Sequence, residues 1–536
     1  MSLGHKRLFE ALKSILRFSV EERRFGNDTS LDGWIMHGAD AVSPDHITHC
    51  PLPCYIVMPE DERIPCGTSS HLSFSKSFVL GDILKNRQIH SDEVAGFKAL
   101  PEELRSIEAV AWKDGAPIWG VQKNGKSSHY YVSLSVPVLS EDEPLFSQFN
   151  SKRFLSLLPL FIFITSLSGD TPWKKPPLRA AFMFDDPNLH WSNYGFIKFN
   201  ELLEQSRVAK YHVSFATIPL DGWFVHSPTA ALFRNNQDKL SLLIHGNDHV
   251  SDELSQPYSE ERLEGLLRQS LDRISKLEKW SGLSISKVMT PPHGACSEQC
   301  IAAMAKLGFE AACISSGSLI YHNKGAEWVR RIGMQACDQI AGLPVFQRFG
   351  LSKTCQNNIL ISAFLHQPII PRGHHIDVAD GYQLLNDVAT FINGLGNVCW
   401  SDLKTIARSQ YETMVENNRL CIKMLTNRIR VRIPEGISIL RVELPDSDGG
   451  RRMLMAKFNV EGQPIWNCID SGIDVEVRPG TTISVRTDPD TQAPAKNGPV
   501  KSRRVYPVVR RIMTETRDRL YPYFNRIGKK SEKTWV

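Results

Sequence analysis

Residues 240–249 have the sequence LSLLIHGNDH, an apolar run of strand length followed at once by His245 and, four positions later, by His249. Two histidines at this spacing on a helical turn can face the same direction, and neutral imidazole is a preferred ligand for zinc. An ordinary loop can carry the same pair. This stretch alone therefore leaves a metal site and a plain loop equally open.

The pattern of an apolar run that ends at a polar or turn residue recurs along the chain. Besides Leu240–Ile244, the runs are Ala180–Phe184, Val213–Thr217, Lys287–Met289, Ala311–Ile314 and Ile359–Leu365. Between two of them, residues 259–280 carry leucines and isoleucines at helical spacing. Buried strands that alternate with helices predict an α/β fold with a parallel sheet. Because such folds carry their chemistry at the carboxyl ends of the strands, the residues after the runs are the candidate site.

Two more of these run ends carry unusual residues. Asp185-Asp186-Pro187 places two carboxylates side by side, which is unfavourable unless a cation or a proton compensates them, although Asp-Pro is also a common turn. Thr290-Pro291-Pro292-His293 has a backbone stiffened by two prolines, after which a fixed N–H could stabilise an oxyanion. A rigid turn without chemistry also explains this second stretch.

The order of these motifs is more specific than any one of them. An Asp-Asp strand end, a His-x-x-x-His strand end, a Pro-Pro turn and a late apolar run ending in His366 resemble the polysaccharide deacetylases, the NodB-homology superfamily in carbohydrate esterase family four. The resemblance implies an α/β fold whose core is a distorted (β/α) barrel. It also implies a metal-dependent hydrolase that removes acetyl groups from an N-acetylated sugar, oligosaccharide or polysaccharide.

Carried over by position, the resemblance gives each site residue a role. The ligands of zinc or another divalent metal would be Asp186, His245 and His249, with positions left open for water and substrate. Asp185 would be the general base that takes a proton from the metal-bound water, and the backbone N–H of His293 would help to stabilise the oxyanion. His366 would protonate the departing amine. We also expect substrate contacts from Pro292, His375 and Trp400, although Trp400 could instead be a packing residue.

Three positions depart from the family pattern. Thr290 stands where the family has an arginine that orients the catalytic aspartate, His293 stands for a tyrosine, and Gly246 stands for a serine or threonine. Another arginine could supply the missing group, and the candidates are Arg330, Arg331 and Arg372. Thr290 also keeps open a second hypothesis, a catalytically decayed deacetylase barrel that acts as a carbohydrate-binding or scaffold protein.

A third class, the amidohydrolases, uses the same kind of α/β barrel. Those enzymes place a His-x-His pair after the first strand of the barrel. This chain has Asp185-Asp186 there, which disfavours the amidohydrolase hypothesis.

The sequence predicts four regions along the 536 residues. Residues 1–170 form an N-terminal mixed α/β domain, with turn signals at Asp114-Gly115 and Asn124-Gly125. Residues 171–417 form the deacetylase-like barrel, and residues 418–488 form a small β-sandwich because short alternating runs are separated by turns. Residues 489–536 are a linker and a basic amphipathic tail.

Charge and cysteine content bound the partners and the compartment. The net charge is +5, and residues 501–533 hold 11 Lys and Arg against three acidic residues. The tail is therefore expected to contact an acidic polysaccharide, another anionic surface or a partner protein, whereas no motif points to nucleic acid. Eleven cysteines without a disulfide-type spacing, and no apolar stretch typical of a signal peptide, predict a cytoplasmic protein.

Overall fold

The structure, a computed structural model, describes residues 1–16, 18–23, 25, 30–37, 50–104, 106–125, 127–169, 172–444, 454–460, 463–487, 508–514 and 516. The chain forms two compact units. The first comprises Met1–Lys174, Lys324–Ala336 and Thr354–Gln367, and the second comprises Lys175–Asn323, Cys337–Lys353 and Pro368–Val536. The division into four regions stays a prediction.

Helices occur in both units. The α-helices include α1 (Leu3–Leu16), α2 (Leu158–Leu167), α3 (Phe199–Val208), α4 (Ser227–Asn235), α5 (Glu260–Ser281), α6 (Glu298–Lys306), α7 (Ser316–His322), α8 (Gln356–Phe364), α9 (Gln383–Asn393) and α10 (Leu403–Arg408). None of these described helices has both the length and the apolar character that a bilayer span requires.

The first unit contains one mixed sheet. Its strands are β1 (Trp34–His37), β2 (Cys54–Val57), β3 (His71–Phe74), β4 (Gln88–His90), β5 (Glu108–Lys113), β6 (Ala116–Asn124) and β7 (Ser127–Val132). They lie in the order β1-β2-β7-β6-β5-β3-β4. The turn predicted at Asp114-Gly115 connects β5 to β6, and both of its residues have positive φ. Helix α2 packs against this sheet through Phe163, whose ring lies 5.5 Å from that of Tyr55.

The second unit is built on a larger, curled sheet. Its strands are β8 (Leu178–Ala180), β9 (Phe182–Asp185), β10 (Asn193–Tyr194), β11 (Ile197–Lys198), β12 (Val213–Thr217), β13 (Leu240–Ile244), β14 (Ile285–Met289), β15 (Ala311–Cys313), β16 (Asp338–Ile340), β17 (Leu343–Phe346), β18 (Phe349–Gly350), β19 (Pro371–Gly373) and β20 (Val398–Trp400). Nine of them form one sheet in the order β16-β17-β15-β14-β13-β12-β9-β19-β18. Every neighbouring pair in it is parallel except β16–β17.

The predicted α/β fold with a parallel sheet is confirmed. Five of the six apolar runs contribute to strands, namely β9, β12, β13, β14 and β15. The predicted helix is α5, where the Ser259 side chain accepts the backbone N–H of Arg262 and Gly282 ends the helix with a φ of 69°. A left-handed residue at this position is typical of a helix end, and glycine adopts it without steric strain.

The prediction of a strand over Ile359–Leu365 is wrong. These residues lie mostly in α8, a helix of the first unit whose residues Ile359–Ala363 are all buried. A continuous apolar run fits a helix buried on all sides as well as it fits a buried parallel strand, so the pattern could not separate them. The strand that pairs with β9 on the side away from β12 is β19, which has no apolar run.

Two smaller sheets follow in the second unit. Their strands are β21 (Tyr411–Glu416), β22 (Arg419–Met424), β23 (Arg428–Arg432), β24 (Ile439–Glu443), β25 (Leu454–Val460), β26 (Gln463–Ile469), β27 (Asp474–Glu476) and β28 (Thr482–Thr487). One sheet has the order β21-β22-β24-β27 and the other β23-β28-β25-β26. Ile422 and Leu440 of the first sheet share a hydrophobic core with Ile429 and Ile483 of the second.

Candidate active site

The parallel register brings the carboxyl ends of β9 and β13 together. Ala216 of β12 pairs with Asp185 on one side and with Leu243 on the other. The residues that directly follow β9 and β13, Asp186 and His245, therefore leave the sheet at nearly the same level, with β12 between them.

Asp186, His245 and His249 converge on one point, as predicted. Oδ1 of Asp186 lies 3.1 Å from Nε2 of His245 and 2.9 Å from Nε2 of His249. One ligand atom from each of the three residues lies within 4.8 Å of the other two. Among the His, Cys, Asp and Glu side chains of the described part of the chain, these three form the cluster that could hold a metal ion.

The protonation of His245 fits a cation at this point. Its Nδ1 lies 2.7 Å from the carbonyl oxygen of Thr290, which can only accept, so Nδ1 carries the proton and donates it. Nε2 of the neutral ring then directs a lone pair at the carboxylate of Asp186, and two acceptors repel unless a cation or a proton lies between them. Among the described residues, no donor makes a well-aligned hydrogen bond to Oδ1 of Asp186. These residues therefore fit a divalent metal.

Electrostatics couple the carboxylate to the two rings. Burial alone would raise the pKa of Asp186, but His245 and His249 outweigh it and hold that pKa well below its ordinary value. Burial would lower the pKa of His245, but the charge and hydrogen bonding of Asp186, with the charge of Asp185, together outweigh burial, so the pKa of His245 is raised above its ordinary value. Without a metal, a proton on the His245 ring is therefore held more tightly than on an ordinary histidine.

Asp185 is held by an arginine that the sequence did not reveal. Nη1 of Arg348 lies 3.0 Å from each carboxylate oxygen of Asp185, and both side chains are 5% exposed. Arg348 follows β17 by two residues, a strand-end position that a search after the run Leu343–Phe346 could have found. The backbone oxygen of Asp185 also accepts the hydroxyl of Tyr194 at 2.8 Å.

The three arginines that the sequence analysis offered as partners of Asp185 lie elsewhere or contact other residues. Arg330 and Arg331 belong to the first unit, where Arg330 lies 3.4 Å from the carboxylate of Asp142. Nη1 of Arg372 lies 3.4 Å from Nδ1 of His374. The arginine that contacts the carboxylate of Asp185 is therefore Arg348.

The loop 245–249 is fixed by charged side chains behind it. The buried carboxylate of Glu253 accepts the backbone N–H of Asn247 at 2.7 Å and that of Asp248 at 2.9 Å. The guanidinium of Arg273 donates to the side chains of the same two residues. Gly246 has a φ of 61°, and a Cβ there would collide with Glu253 and Pro292, which explains glycine at this position.

Three site residues other than glycine have left-handed backbones. The φ values are 61° at Asp186, 57° at His249 and 56° at His293. Such conformations cost roughly 1–3 kcal/mol each and persist where the surroundings hold them, as at many active sites. The imidazole of His293 is exposed, and its centre lies 5.1 Å from that of His249. Pro292, predicted to contact the substrate, is buried beside Gly246.

The histidine level with Asp185 is His374. Gly373 of β19 pairs with Phe184 of β9, so His374 and Asp185 are the next residues on the two strands. Burial lowers the pKa of His374 even though Asp185 and Asp186 act to raise it, so its ring is neutral near neutral pH. His366 instead follows α8 in the first unit, so the strand-end position on which its role was based is not there.

The two other residues expected to contact substrate pack against aromatic neighbours. The ring of His375 lies 5.0 Å from Tyr194 and 5.6 Å from Phe196. Trp400 pairs with Ala180, before β9, and donates its Nε1–H to Asn393 at 2.7 Å. Trp400 therefore lies at the amino end of β9, away from Asp185, where it is a packing residue and is not brought to the site.

Exposed aromatic residues in the loops after β9 and β12 were not predicted. Trp191 is 48% exposed, Trp223 50% and Phe224 45%. The ring of His190 lies 4.7 Å from Trp223 and 5.4 Å from Phe224. Exposed apolar patches commonly mark ligand grooves, and these loops follow the same ends of the strands as the Asp-His-His group.

Part of the basic tail is described. Nη1 of Arg510 lies 3.0 and 2.8 Å from the two carboxylate oxygens of Asp221, and Arg511 lies 3.4 Å from the same group. Two of the basic side chains are thus engaged with the loop after β12. The other basic residues of 501–533 lie outside the described residues, and the predicted contact of the tail with an anionic surface or a partner protein stays a prediction.

Comparison with known proteins gives matches among solved structures. No protein-family model and no curated protein matches the chain. A polysaccharide deacetylase from Mycobacterium smegmatis is 12% identical with a TM-score of 0.31, and the match covers 44% of this chain and 91% of that one. A family 4 carbohydrate esterase from Streptomyces lividans, solved with acetate, is 12% identical with a TM-score of 0.27, and the match covers 43% of this chain and 94% of that one.

A third match is a family 4 pseudoenzyme from Bacillus anthracis, 11% identical with a TM-score of 0.26, where the match covers 44% of this chain and 69% of that one. At these identities and TM-scores the matches assign no activity to this chain. These three solved structures are named as a polysaccharide deacetylase, a family 4 carbohydrate esterase and a family 4 pseudoenzyme, and the sequence motifs of this chain resemble the same family.

Proposed function

We propose that this chain is a metal-dependent hydrolase that removes acetyl groups from an N-acetylated sugar or polysaccharide. The observation that carries the proposal is the convergence of three side chains, in which Oδ1 of Asp186 lies 3.1 Å from Nε2 of His245 and 2.9 Å from Nε2 of His249. Three protein ligands with open positions are the pattern of catalytic zinc sites. A second carboxylate belongs to Asp185, the last residue of β9 and the neighbour of Asp186 in the chain, and it would be available for proton transfer.

Asp186, His245 and His249 would hold zinc or another divalent ion. Bound there, the ion would lower the pKa of a water and polarise the acetyl carbonyl. The ring of His245 is fixed for this purpose by its hydrogen bond to the Thr290 carbonyl. Such a partner on the second ring nitrogen sets both the tautomer and the orientation of a metal-binding histidine.

Asp185 would act as the general base of the reaction. Its carboxylate oxygens are both bound to Nη1 of Arg348, which fixes their direction relative to Asp186. Arg348, two residues after the end of β17, would thus supply the orienting cation that Thr290 cannot provide. A base held in place in this way takes the proton of the attacking water without first having to rearrange.

His374 would pass a proton to the departing amine, the role that the resemblance gave to His366. The register places His374 beside Asp185, and its neutral ring can accept a proton and then donate it. The backbone N–H of His293 would donate to the oxyanion. Trp191, Trp223 and Phe224 would offer apolar faces to sugar rings next to the one that reacts.

The surrounding architecture would support this chemistry. We infer that the nine-stranded sheet is a distorted (β/α) barrel of the polysaccharide deacetylase type. We also infer that the two four-stranded sheets form a small β-sandwich, because side chains of both sheets share one hydrophobic core.

A catalytically decayed barrel that binds carbohydrate is the second candidate function. Thr290 in place of the usual arginine favours it, whereas the contact between Arg348 and Asp185 weighs against it. The zinc content of the purified protein distinguishes the two candidate functions. The purified wild-type protein is expected to bind close to one zinc per chain, and both Asp186→Ala and His249→Ala are expected to bind none.

Asp248→Asn is the matched control for the metal-binding experiment. Asp248 lies in the same loop but binds Arg273, so this variant should keep its zinc. Wild-type protein that holds no stoichiometric metal would overturn the proposed hydrolase and leave the binding function.

A further inference from the structure

A cavity lies at the other end of the strands from Asp186. It has a volume of about 310 Å³ and opens beside Leu240 and Ser241, at the start of β13, whereas His245 follows the end of that strand. At about 3.3 Å per residue, the length of β13 separates the two places by roughly 15 Å. None of the residues assigned above to the hydrolase site lines this cavity.

The lining is strongly basic. Four cationic side chains and one carboxylate face the cavity, and they are Arg234, Lys404, Arg408, Arg430 and Asp402. The Asp402 carboxylate accepts the backbone N–H groups of Lys404 and Thr405 at 3.0 Å, so it is engaged at the start of α10. Arg408 is paired with Glu310 at 2.7 and 2.8 Å.

The other three cations have no such partner. Among the described residues, no carboxylate lies within 4.0 Å of the charged groups of Arg234, Lys404 or Arg430. These three cations outnumber the single negative charge of Asp402, so the cavity keeps a net positive charge that an anion can compensate. An arginine guanidinium can bind two oxygens of a phosphate at once, and a lysine ammonium binds phosphate as a point charge.

The remaining wall is apolar and carries hydroxyl groups. Phe233, Leu242 and Leu283 supply carbon surface, and Ser284 and Ser286 supply hydroxyls. Cavities that bind small molecules begin at about 300 Å³, which exceeds what an inorganic phosphate ion fills. The combination of cations with an apolar wall therefore matches a ligand that has both a phosphate group and a carbon skeleton.

We propose that this cavity binds a small organic phosphate ester. Lys404 and Arg430 contact its phosphate group, and Phe233, Leu242 and Leu283 contact its carbon skeleton. This binding function is separate from deacetylation and does not depend on the metal ligands.

Calorimetric titration of the full chain with glucose 6-phosphate at low ionic strength tests the proposal. Glucose 6-phosphate is expected to bind, glucose to give no signal, and inorganic phosphate to bind more weakly than the ester. Binding should also weaken as salt is added, because the salt screens the attraction between the phosphate and the cations.

Two variants and a control locate the binding to the cavity. Lys404→Gln and Arg430→Gln are each expected to weaken the binding of glucose 6-phosphate by about tenfold or more, because each removes a charged hydrogen bond. Arg432→Gln is the control, since Arg432 lies on the same exposed face of β23 as Arg430 but does not line the cavity. Thermal unfolding of each variant verifies that it is folded.

Three results would overturn the proposal. The first is the absence of glucose 6-phosphate binding by folded wild-type protein. The second is an equal affinity in Arg430→Gln and Arg432→Gln. The third is an affinity for inorganic phosphate equal to that for the ester, which would remove the role of the apolar wall.

Discussion

Arg348 binds Asp185 through one guanidinium nitrogen that lies 3.0 Å from both carboxylate oxygens, and the pair is buried at the carboxyl end of the sheet. Asp185 precedes the metal-ligand candidate Asp186 on β9, whereas Arg348 comes from beyond β17, so the contact joins distant parts of the chain. It places a fixed cation beside the proposed base, where under the proposed function it would take the role of the arginine that the resemblance leads one to expect at Thr290.

The first prediction concerns Arg348. Arg348→Lys keeps the positive charge but changes the geometry of the contact, so kcat for acetate release should fall by roughly 10- to 100-fold while KM and zinc content stay unchanged. Arg330→Lys is the control, because Arg330 lies in the first unit, where its side chain pairs with Asp142, and it contacts none of the proposed catalytic residues. Steady-state kinetics with metal analysis measure both variants, and equal kcat in the two would show that Arg348 does not position the base.

The second prediction concerns the pH dependence of metal binding. The pKa of His245 is raised by Asp186, so the metal-free protein holds a proton on this ring more tightly than an ordinary histidine does. A metal needs the unprotonated ring, and lowering the pH through the raised pKa therefore weakens zinc binding, by up to about tenfold per pH unit. Zinc titrations at several pH values should show this fall and a proton released on binding at the acid end. An affinity independent of pH would argue against His245 as a ligand.

Gly246 provides a third prediction. Gly246→Ala introduces a Cβ at a φ of 61° into space occupied by Glu253 and Pro292, so the loop that carries both histidines must shift. We expect a loss of roughly 1–3 kcal/mol in the free energy of unfolding together with weaker zinc binding.

Gly317→Ala is the matched control for this substitution. Gly317 lies in α7, and a Cβ there would meet nothing within 4 Å, so the protein should be as stable as wild type or slightly more stable. Chemical denaturation compares the two variants, and equal stabilities would show that the left-handed glycine is dispensable.

The exposed aromatic loops lead to a fourth prediction. Trp223→Ala should raise KM for N-acetylglucosamine oligomers by roughly two- to tenfold, because a sugar ring loses its stacking surface, and should leave kcat nearly unchanged. Trp280, also 50% exposed, lies in the last turn of α5. Because β14 begins soon after this turn, Trp280 lies toward the amino ends of the strands, which makes Trp280→Ala the control. A KM that is the same in both variants would remove Trp223 from the substrate cleft.

The sequence was informative wherever local chemistry sets the structure. Strands buried on both faces are continuous apolar runs, so β12 and β13 could be placed to within a residue or two. The Asp-His-His group could be predicted because its residues lie within five positions after the ends of two such runs, and the resemblance to the polysaccharide deacetylases implied that these three are the ligands. The structure brings Asp186, His245 and His249 together there.

The missed parts depend on long-range pairing. β19 is three residues long and has no apolar run, so nothing local marked His374 as the next residue after a strand beside β9. The apolar run in α8 had the composition of a buried strand, so His366, the residue after it, was predicted to be the strand-end histidine of the site. The contact between Arg348 and Asp185 spans 163 positions, a separation at which sequence spacing carries no information about contact.

Acetate release from N-acetylglucosamine oligomers, by zinc-loaded wild-type protein and by Asp185→Asn, tests the central claim most directly. Asp185→Asn keeps all three proposed metal ligands and removes the proposed base. We predict release by the wild type, and a rate at least about 100-fold lower in the variant at equal zinc content. Full zinc occupancy with no acetate released by the wild type, or equal rates in the two proteins, would contradict the account.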